Sequence, residues 1–164
     1  MKLRRLLPTV LVLTFRVLPA LAQDSTSAGD GTSPWGLRVG LGSDPDQLIG
    51  GVNFLETKIA DNVYLSPNAE LGVGDDHLIV SATAPFFYRF VTSTSITPYA
   101  GGGVSIGIDR YDGPKDSSDT NLEIALQVSG GVIFPLKSGA EMFGELNLGF
   151  GDLREIQAMV GWRF

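Results

Sequence analysis

Apolar and polar residues alternate along short stretches of the chain from Trp35 to Phe164, and turn residues separate one stretch from the next. A period of two residues is that of a β-strand, whose successive side chains point to opposite faces. After the first 34 residues no apolar repeat of helical period appears. The pattern predicts an all-β fold with eight strands. These strands are Trp35 to Ser43, Gln47 to Glu56, Val63 to Val73, His77 to Phe90, Thr97 to Arg110, Leu122 to Phe134, Ala140 to Phe150 and Leu153 to Phe164.

The two faces of these strands differ in charge. In the six strands with the clearest alternation, the middle of the apolar face holds no charged residue. Strands of this kind close into a barrel in one of two ways, with the apolar face outward in a membrane or inward in a soluble lipocalin-like carrier. The charged residues of the opposite face are Arg38, Glu70, Arg89, Glu123, Glu141, Glu145, Glu155 and Arg163.

Aromatic residues decide between these two barrels. If the first strand begins in the periplasm, twelve of the fourteen aromatic residues after residue 22 lie toward the periplasmic end. Aromatic rings collect where lipid headgroups meet hydrocarbon, whereas a lipocalin-like barrel has no evident reason for a one-ended girdle. The sequence thus predicts an eight-stranded antiparallel up-and-down transmembrane β-barrel. The twelve residues are Trp35, Phe54, Tyr64, Phe86, Phe87, Tyr88, Phe90, Tyr99, Phe134, Phe143, Trp162 and Phe164.

Two prolines interrupt the alternation. Pro67 and Pro85 fall inside predicted strands, where each removes a backbone donor from the hydrogen-bond ladder. We expect local bulges or shortened strands at both positions.

The first 34 residues have the composition of an export signal and a linker. Basic residues at positions 2, 4 and 5 precede an apolar run from Leu6 to Leu18, and Ala20-Leu21-Ala22 forms a small-residue cleavage site. The sequence predicts a signal peptide over residues 1–22, a flexible lead-in over 23–34 and a barrel domain over 35–164. Cleavage leaves eight basic and eighteen acidic residues, a net charge of −10 that argues against nucleic acid as a partner.

The charged face predicts a packed lumen. Eight strands enclose a space just wide enough for side chains, so the arginines on this face are expected to pair with its glutamates in one ionic network. Glycines at positions 36, 40, 42, 51, 72 and 149 would leave room for them. A narrow channel is the alternative interpretation of the same charges.

The sequence offers few candidates for catalytic or metal-binding residues. Gly103 to Gly107 fits the G-x-S-x-G pattern around Ser105, but strand alternation runs straight through it, so no nucleophile elbow is expected. The single histidine, His77, has Ser81 two pleats away, beyond hydrogen-bond reach. The spacing of the aspartates between residues 109 and 119 does not fit a calcium loop, and the chain has no cysteine. We therefore predict no catalytic residue, no metal site and no cofactor.

Three stretches resemble a known family. Thr97 to Gly103, Gly130 to Leu136 and the closing Val160 to Phe164 are similar to the small OmpA-like and opacity-type outer-membrane β-barrels. The resemblance implies an integral protein of the bacterial outer membrane, in contact with membrane lipid and lipopolysaccharide. It also implies that Trp162 and Phe164 form the signal that the barrel assembly machinery reads. Strand pairing within one chain permits a monomer, which we expect.

The resemblance implies a structural or surface-contact role, and three other functions remain open. The first is a small passive channel or apolar-solute transporter, which would conduct ions in planar bilayers. The second is a lipid A-modifying hydrolase that depends on His77. The third is the soluble lipocalin-like carrier, which would be recovered from the aqueous periplasm.

Overall fold

The computed structural model describes residues 35–54, 56–74, 76–112, 118–151 and 153–164. The predicted signal peptide and lead-in, residues 1–22 and 23–34, lie outside these ranges. Within the ranges, no helix has the length and apolar character needed to cross a bilayer. The strands of the described residues form one antiparallel β-sheet.

The sheet closes on itself as a barrel. Its strands are β1 Trp35–Ser43, β2 Gln47–Phe54, β3 Thr57–Ala60, β4 Val63–Leu65, β5 Asn68–Gly74, β6 His77–Arg89, β7 Thr97–Asp112, β8 Ser118–Pro135, β9 Glu141–Gly151 and β10 Ile156–Arg163. β2 and β3 together make the second barrel strand, and β4 and β5 make the third. Each barrel strand pairs with its neighbours in sequence, and β1 pairs with β10. The predicted eight-stranded up-and-down barrel is confirmed.

The second barrel strand carries one extra residue relative to the third. β2 pairs with β5 so that Asn53 lies opposite Asn68, whereas β3 pairs with β4 one residue out of that register, with Thr57 opposite Leu65. An extra residue reverses the alternation of faces. Glu56, which strict alternation from Gln47 would place outside, is therefore buried inside the barrel.

Pro67 and Pro85 both lie at the break between β4 and β5, on neighbouring barrel strands. Pro67 lies between β4 and β5, where a break was expected, and its carbonyl accepts the backbone N–H of Phe54 at 3.0 Å. Pro85 lies within an unbroken β6, across from Ser66, whose N–H donates to the Pro85 carbonyl at 3.1 Å. Because proline has no N–H, Pro85 cannot donate a hydrogen bond back to Ser66. The pairing of β6 with the third barrel strand is interrupted there.

The apolar face of the sheet is the outer face of the barrel. Along β8, the exposed fractions of Leu122, Ile124 and Leu126 are 69%, 62% and 60%, whereas the alternate residues Ala125 and Ser129 are buried. The same alternation runs along β6 and β10. The charged face therefore lines the lumen, which is the arrangement of a membrane barrel and the reverse of a lipocalin-like carrier.

The predicted aromatic girdle is only partly correct. Phe86, Tyr88 and Trp162 are among its members that face outward. Phe87, Tyr99 and Phe143 instead point into the lumen, where they form a buried apolar layer with Ile133. The girdle was predicted from the height of each residue along its strand. Whether a side chain faces outward or into the lumen depends instead on its odd or even position in the strand, and these three residues occupy lumen positions.

Gly40 lies on the lumen face of β1, at the seam with β10. A Cβ atom at Gly40 would overlap the carbonyl oxygen of Ala158 and the sulfur of Met159. We expect Gly40→Val to lower the free energy of unfolding by about 1–3 kcal/mol, the usual cost of overpacking, in urea titrations of the folded barrel in detergent. Gly50→Val is the matched control, because a Cβ atom there meets nothing within 4 Å. Equal losses in the two variants would contradict this account of the seam.

Candidate functional site

The lumen has two distinguishable ends. The terminal end is the one where β1 begins and β10 ends, and the loop end carries connections such as residues 44–46 and 153–155. Buried arginines occur along its whole length: Arg154 near the loop end, Arg38 further inside, and Arg163 with the partly buried Arg89 near the terminal end. The lumen and its charges are the candidate site.

Arg38 forms the centre of the ionic network. Its Nε lies 3.1 Å from Oε1 of Glu70 on β5, and its Nη2 donates to Oε1 of Glu145 on β9 at 2.6 Å. All three side chains are buried. Gly51 lies between Arg38 and Glu70 in the register, and a Cβ atom there would come within 2.9 Å of Glu70 Cγ. Gly51 thus leaves the space that this pair occupies, as predicted for the lumen glycines.

Neutral side chains complete the bonding of Glu145. The Tyr99 hydroxyl donates to Oε2 of Glu145 at 2.8 Å, and Nδ2 of Asn147 donates to Oε1 at 3.0 Å. With the bond from Arg38, both carboxylate oxygens are engaged. A buried carboxylate is tolerated only when it is paired and hydrogen-bonded in this way.

A second group of charges lies at the terminal end. Nη1 of Arg163 lies 3.2 Å from Oε2 of Glu56 and 3.7 Å from Oε2 of Glu141. Arg89 also pairs with Glu56, and its Nη2 lies 3.9 Å from Glu141. Phe143 joins this group to the centre, since the guanidinium groups of Arg163 and Arg38 lie 4.8 Å and 5.9 Å from its ring centroid.

Arg154 extends the network toward the loop end. Its Nε donates to Oε1 of Gln47 at 2.8 Å, and its Nη1 donates to Oε2 of Glu70 at 3.3 Å. Glu70 is therefore shared between Arg154 and Arg38. Burial lowers the pKa of the Arg154 guanidinium, while the carboxylates of Glu70 and Asp109 act in the opposite direction.

The structure brings most of the predicted lumen residues together. Six of the eight contribute to the ion pairs of the lumen, and Glu123 also lies on the lumen face of β8. The six are Arg38, Glu70, Arg89, Glu141, Glu145 and Arg163.

The prediction that Glu155 belongs to the ionic network of the lumen was wrong. Its side chain is exposed, because β10 begins only at Ile156 and the strand alternation does not extend back to residue 155. Arg154 takes the lumen position instead. Arg154 and Glu56 could not be predicted as lumen residues, because both lie where regular alternation fails and a period of two carries no signal there.

The residues considered for catalysis are engaged in other contacts. Nδ1 of His77 lies 2.7 Å from Oδ2 of Asp109, and its ring packs 4.9 Å from the ring of Tyr111. Ser105 lies within an uninterrupted β7, and its hydroxyl is 2.7 Å from the Thr83 hydroxyl. Within the part of the chain that the structure describes, no group of three acidic, histidine or cysteine side chains is arranged to hold a metal ion.

Between Arg154 and the apolar layer of Phe87, Tyr99, Ile133 and Phe143, the lumen is lined mainly by polar side chains. They line a cavity of about 20 Å³. This is room for about one water molecule. The polar lining side chains are those of Glu70, Ser81, Thr83, Ser105, Gln127, Asn147, Arg154 and Gln157. Among the described residues, side chains therefore fill most of this part of the lumen.

No family model and no curated protein matches the sequence. Solved structures do match the fold. Neisserial surface protein A superposes with a TM-score of 0.62 at 15% identity, covering 82% of this chain and 98% of that one. The N-terminal β-barrel domain of Pseudomonas aeruginosa OprF gives 0.60 at 15% identity, covering 80% and 96%. Ail, the attachment invasion locus protein of Yersinia pestis, gives 0.51 at 10% identity, covering 81% and 95%.

The chain has the fold of the small outer-membrane β-barrels. The resemblance that the sequence showed to OmpA-like and opacity-type barrels is thus confirmed for the fold. At these identities the comparison shows the architecture alone.

The central network predicts a large effect of removing its arginine. Arg38→Met leaves Glu70 and Glu145 buried without their shared partner, and we expect a loss of about 3–5 kcal/mol in the free energy of unfolding. Replacing both glutamates by glutamine in the same variant should recover part of this loss. Lys58→Met is the control, since Lys58 pairs with Asp61 at the surface and should matter little. Urea titration in detergent measures all three, and an Arg38→Met barrel as stable as the parent would refute the network's role.

Proposed function

We propose that this protein is an integral outer-membrane β-barrel with a structural or surface-contact role and a closed lumen. The observation that carries the proposal is the packing of the lumen, in which Arg38, Glu70 and Glu145 are joined across the barrel and an apolar layer adjoins them. A barrel filled in this way offers its outer surface and its loops, rather than its interior, for function.

Three observations support the outer membrane as the location. The exterior of the barrel is mainly apolar, six of the eight predicted lumen charges are paired inside it, and the sequence begins with a predicted export signal. A closed barrel satisfies its backbone hydrogen bonds internally, as a bilayer requires. The neighbours in fold are bacterial outer-membrane barrels. The terminal end then lies in the periplasm and the loop end faces outward, in contact with lipopolysaccharide.

Fractionation and conductance test this proposal together. We expect the protein in the outer-membrane fraction, with an electrophoretic mobility in detergent that changes on boiling, as a closed barrel should show. In planar bilayers we expect no conductance steps above those of the lipid alone, because side chains block the lumen. Ion-selective steps would replace the proposal with the channel alternative, and recovery from the aqueous periplasm would replace it with the soluble carrier.

An enzymatic role is not part of the proposal. A histidine bonded to an aspartate, as His77 is to Asp109, also occurs in catalytic triads. The Ser105 hydroxyl that would have to act as nucleophile is buried against Thr83, six residues along β6 from His77. A lipid A-modifying hydrolase would change the mass of lipid A in cells that express the protein. We expect that mass to be unchanged.

The end of β10 supports a proposed contact with the barrel assembly machinery. The ring of Phe164 lies 5.1 Å from that of Trp35, and the Phe164 N–H donates to the Trp35 carbonyl at 3.2 Å. The side chains of Trp162 and Phe164 are on the outer face at the terminal end, with more than a third of their surface exposed. They are thus accessible at the end where assembly factors of the periplasm would meet them.

Phe164→Ala should therefore lower the amount of barrel in the outer membrane several-fold while leaving the purified, refolded barrel almost as stable as the parent. Quantitative immunoblotting of membrane fractions measures the first quantity and urea titration the second. Phe150→Ala is a matched control, because Phe150 is also an exposed outer-face phenylalanine but lies near the loop end. Equal membrane levels of the Phe164→Ala variant and the parent would refute the assembly role.

A further inference from the structure

The connection between β9 and β10 enters the lumen. Leu153 and Arg154 are two consecutive residues, and both are 4% exposed. Glu155, which follows them, returns to the barrel wall, where its N–H donates to the Ser43 carbonyl and its carbonyl accepts the N–H of Gly149 at 2.7 Å. Two adjacent buried side chains cannot belong to an alternating strand, so this segment is a separate insertion into the loop end.

Leu153 and Arg154 occupy different surroundings. Leu153 packs with Ile79 and Ala125 in a buried apolar cluster of its own. Arg154 crosses toward the opposite wall, where it bonds to Gln47 and Glu70. The pair therefore contacts side chains from strands on several sides of the barrel at the loop end.

Glycines on four strands make room for this pair. A Cβ atom at Gly107 on β7 would come within 2.5 Å of a Leu153 methyl group. A Cβ atom at Gly72 on β5 would overlap the Arg154 guanidinium, and one at Gly149 on β9 would overlap the Arg154 carbonyl oxygen. At Gly42 on β1 the Cβ atom would lie 3.2 Å from Arg154 Cδ. These glycines leave the space that Leu153 and Arg154 occupy, so larger side chains in the barrel wall would displace the two residues.

A polar compartment lies below them. Its walls include the hydroxyls of Ser81, Thr83 and Ser105 and the amides of Gln127 and Asn147. On the far side, the apolar layer of Phe87, Tyr99, Ile133 and Phe143 on β6 to β9, together with the ion pairs of Arg38, lies between this compartment and the terminal end. The compartment thus has a different closure at each end.

We propose that Leu153 and Arg154 form an outer plug, whose side chains fill the loop end of a polar pocket and keep small hydrophilic solutes out of it. The apolar layer and the ion pairs of Arg38 together make this pocket a dead end. Loss of the outer plug therefore exposes the pocket without creating a pore. This inference goes beyond the proposed function, which states only that the lumen is closed, because it assigns the closure to two separate seals.

Thiol labelling tests the outer plug directly. The chain has no cysteine, so Ser105→Cys places a single reporter in the wall of the pocket. The folded barrel in detergent is treated with a small charged methanethiosulfonate, and the labelling rate is followed by mass spectrometry. We expect slow labelling of the Ser105→Cys barrel. Adding Leu153→Ala and Arg154→Ala should raise the rate by about tenfold or more, since the buried contacts that keep the pocket closed are lost.

Glu155→Gln, added to the Ser105→Cys barrel, provides the matched control. Glu155 belongs to the same connection, but its side chain is exposed. The labelling rate of this variant should equal that of the Ser105→Cys parent. Each barrel is first checked for a mobility shift on boiling. Should the double plug variant not fold, Leu153→Ala alone should raise the rate by about threefold.

The outcomes separate this inference from the proposed function. Fast labelling of the Ser105→Cys barrel itself, or equal rates with and without the plug residues, would overturn the outer plug. Conductance of the plug variant but not of the parent would overturn the dead end while leaving the proposed function of the parent intact. Conductance of the parent would overturn the proposed function instead.

Discussion

The cost of burying charge governs the interior of this barrel. An unpaired ion in a closed, water-poor lumen costs several kcal/mol, so each buried arginine has to find its carboxylate on another strand. Arg38 on β1 reaches Glu145 on β9, and Arg163 on β10 reaches Glu56 beyond β2. Both ion pairs cross the seam between β1 and β10. The buried charges therefore link the strands on the two sides of the seam.

The buried ion pairs occupy space that glycines leave free on neighbouring strands. Gly51 accommodates Arg38 and Glu70, and the glycines around Arg154 accommodate the outer plug. An eight-stranded barrel has a fixed and narrow interior, so every long side chain in one layer has to be balanced by a short one. The abundance of glycine in this chain, 21 residues in all, is explained in part by that requirement.

Much of this organisation could be predicted from the sequence. A period of two fixes the face of every residue in a regular strand, so the barrel and six of the paired lumen charges followed from alternation. The predictions were wrong where alternation stops. A one-residue shift after β2 turned Glu56 inward, and the insertion before β10 exchanged the places of Arg154 and Glu155. Those departures depend on pairing between distant strands, which a local pattern does not contain.

The shared carboxylate of Glu70 has a consequence for the response of the barrel to salt. Mobile ions screen charges that water can reach, over a distance of about 8 Å at physiological ionic strength. The side chains of Glu70, Arg38 and Arg154 are almost fully buried, and buried pairs are screened much less than exposed ones. Their attraction is consequently insulated from changes in the surrounding electrolyte. Added salt should therefore leave the ion pairs of the interior unchanged, while it weakens an exposed pair such as that of Lys58 with Asp61.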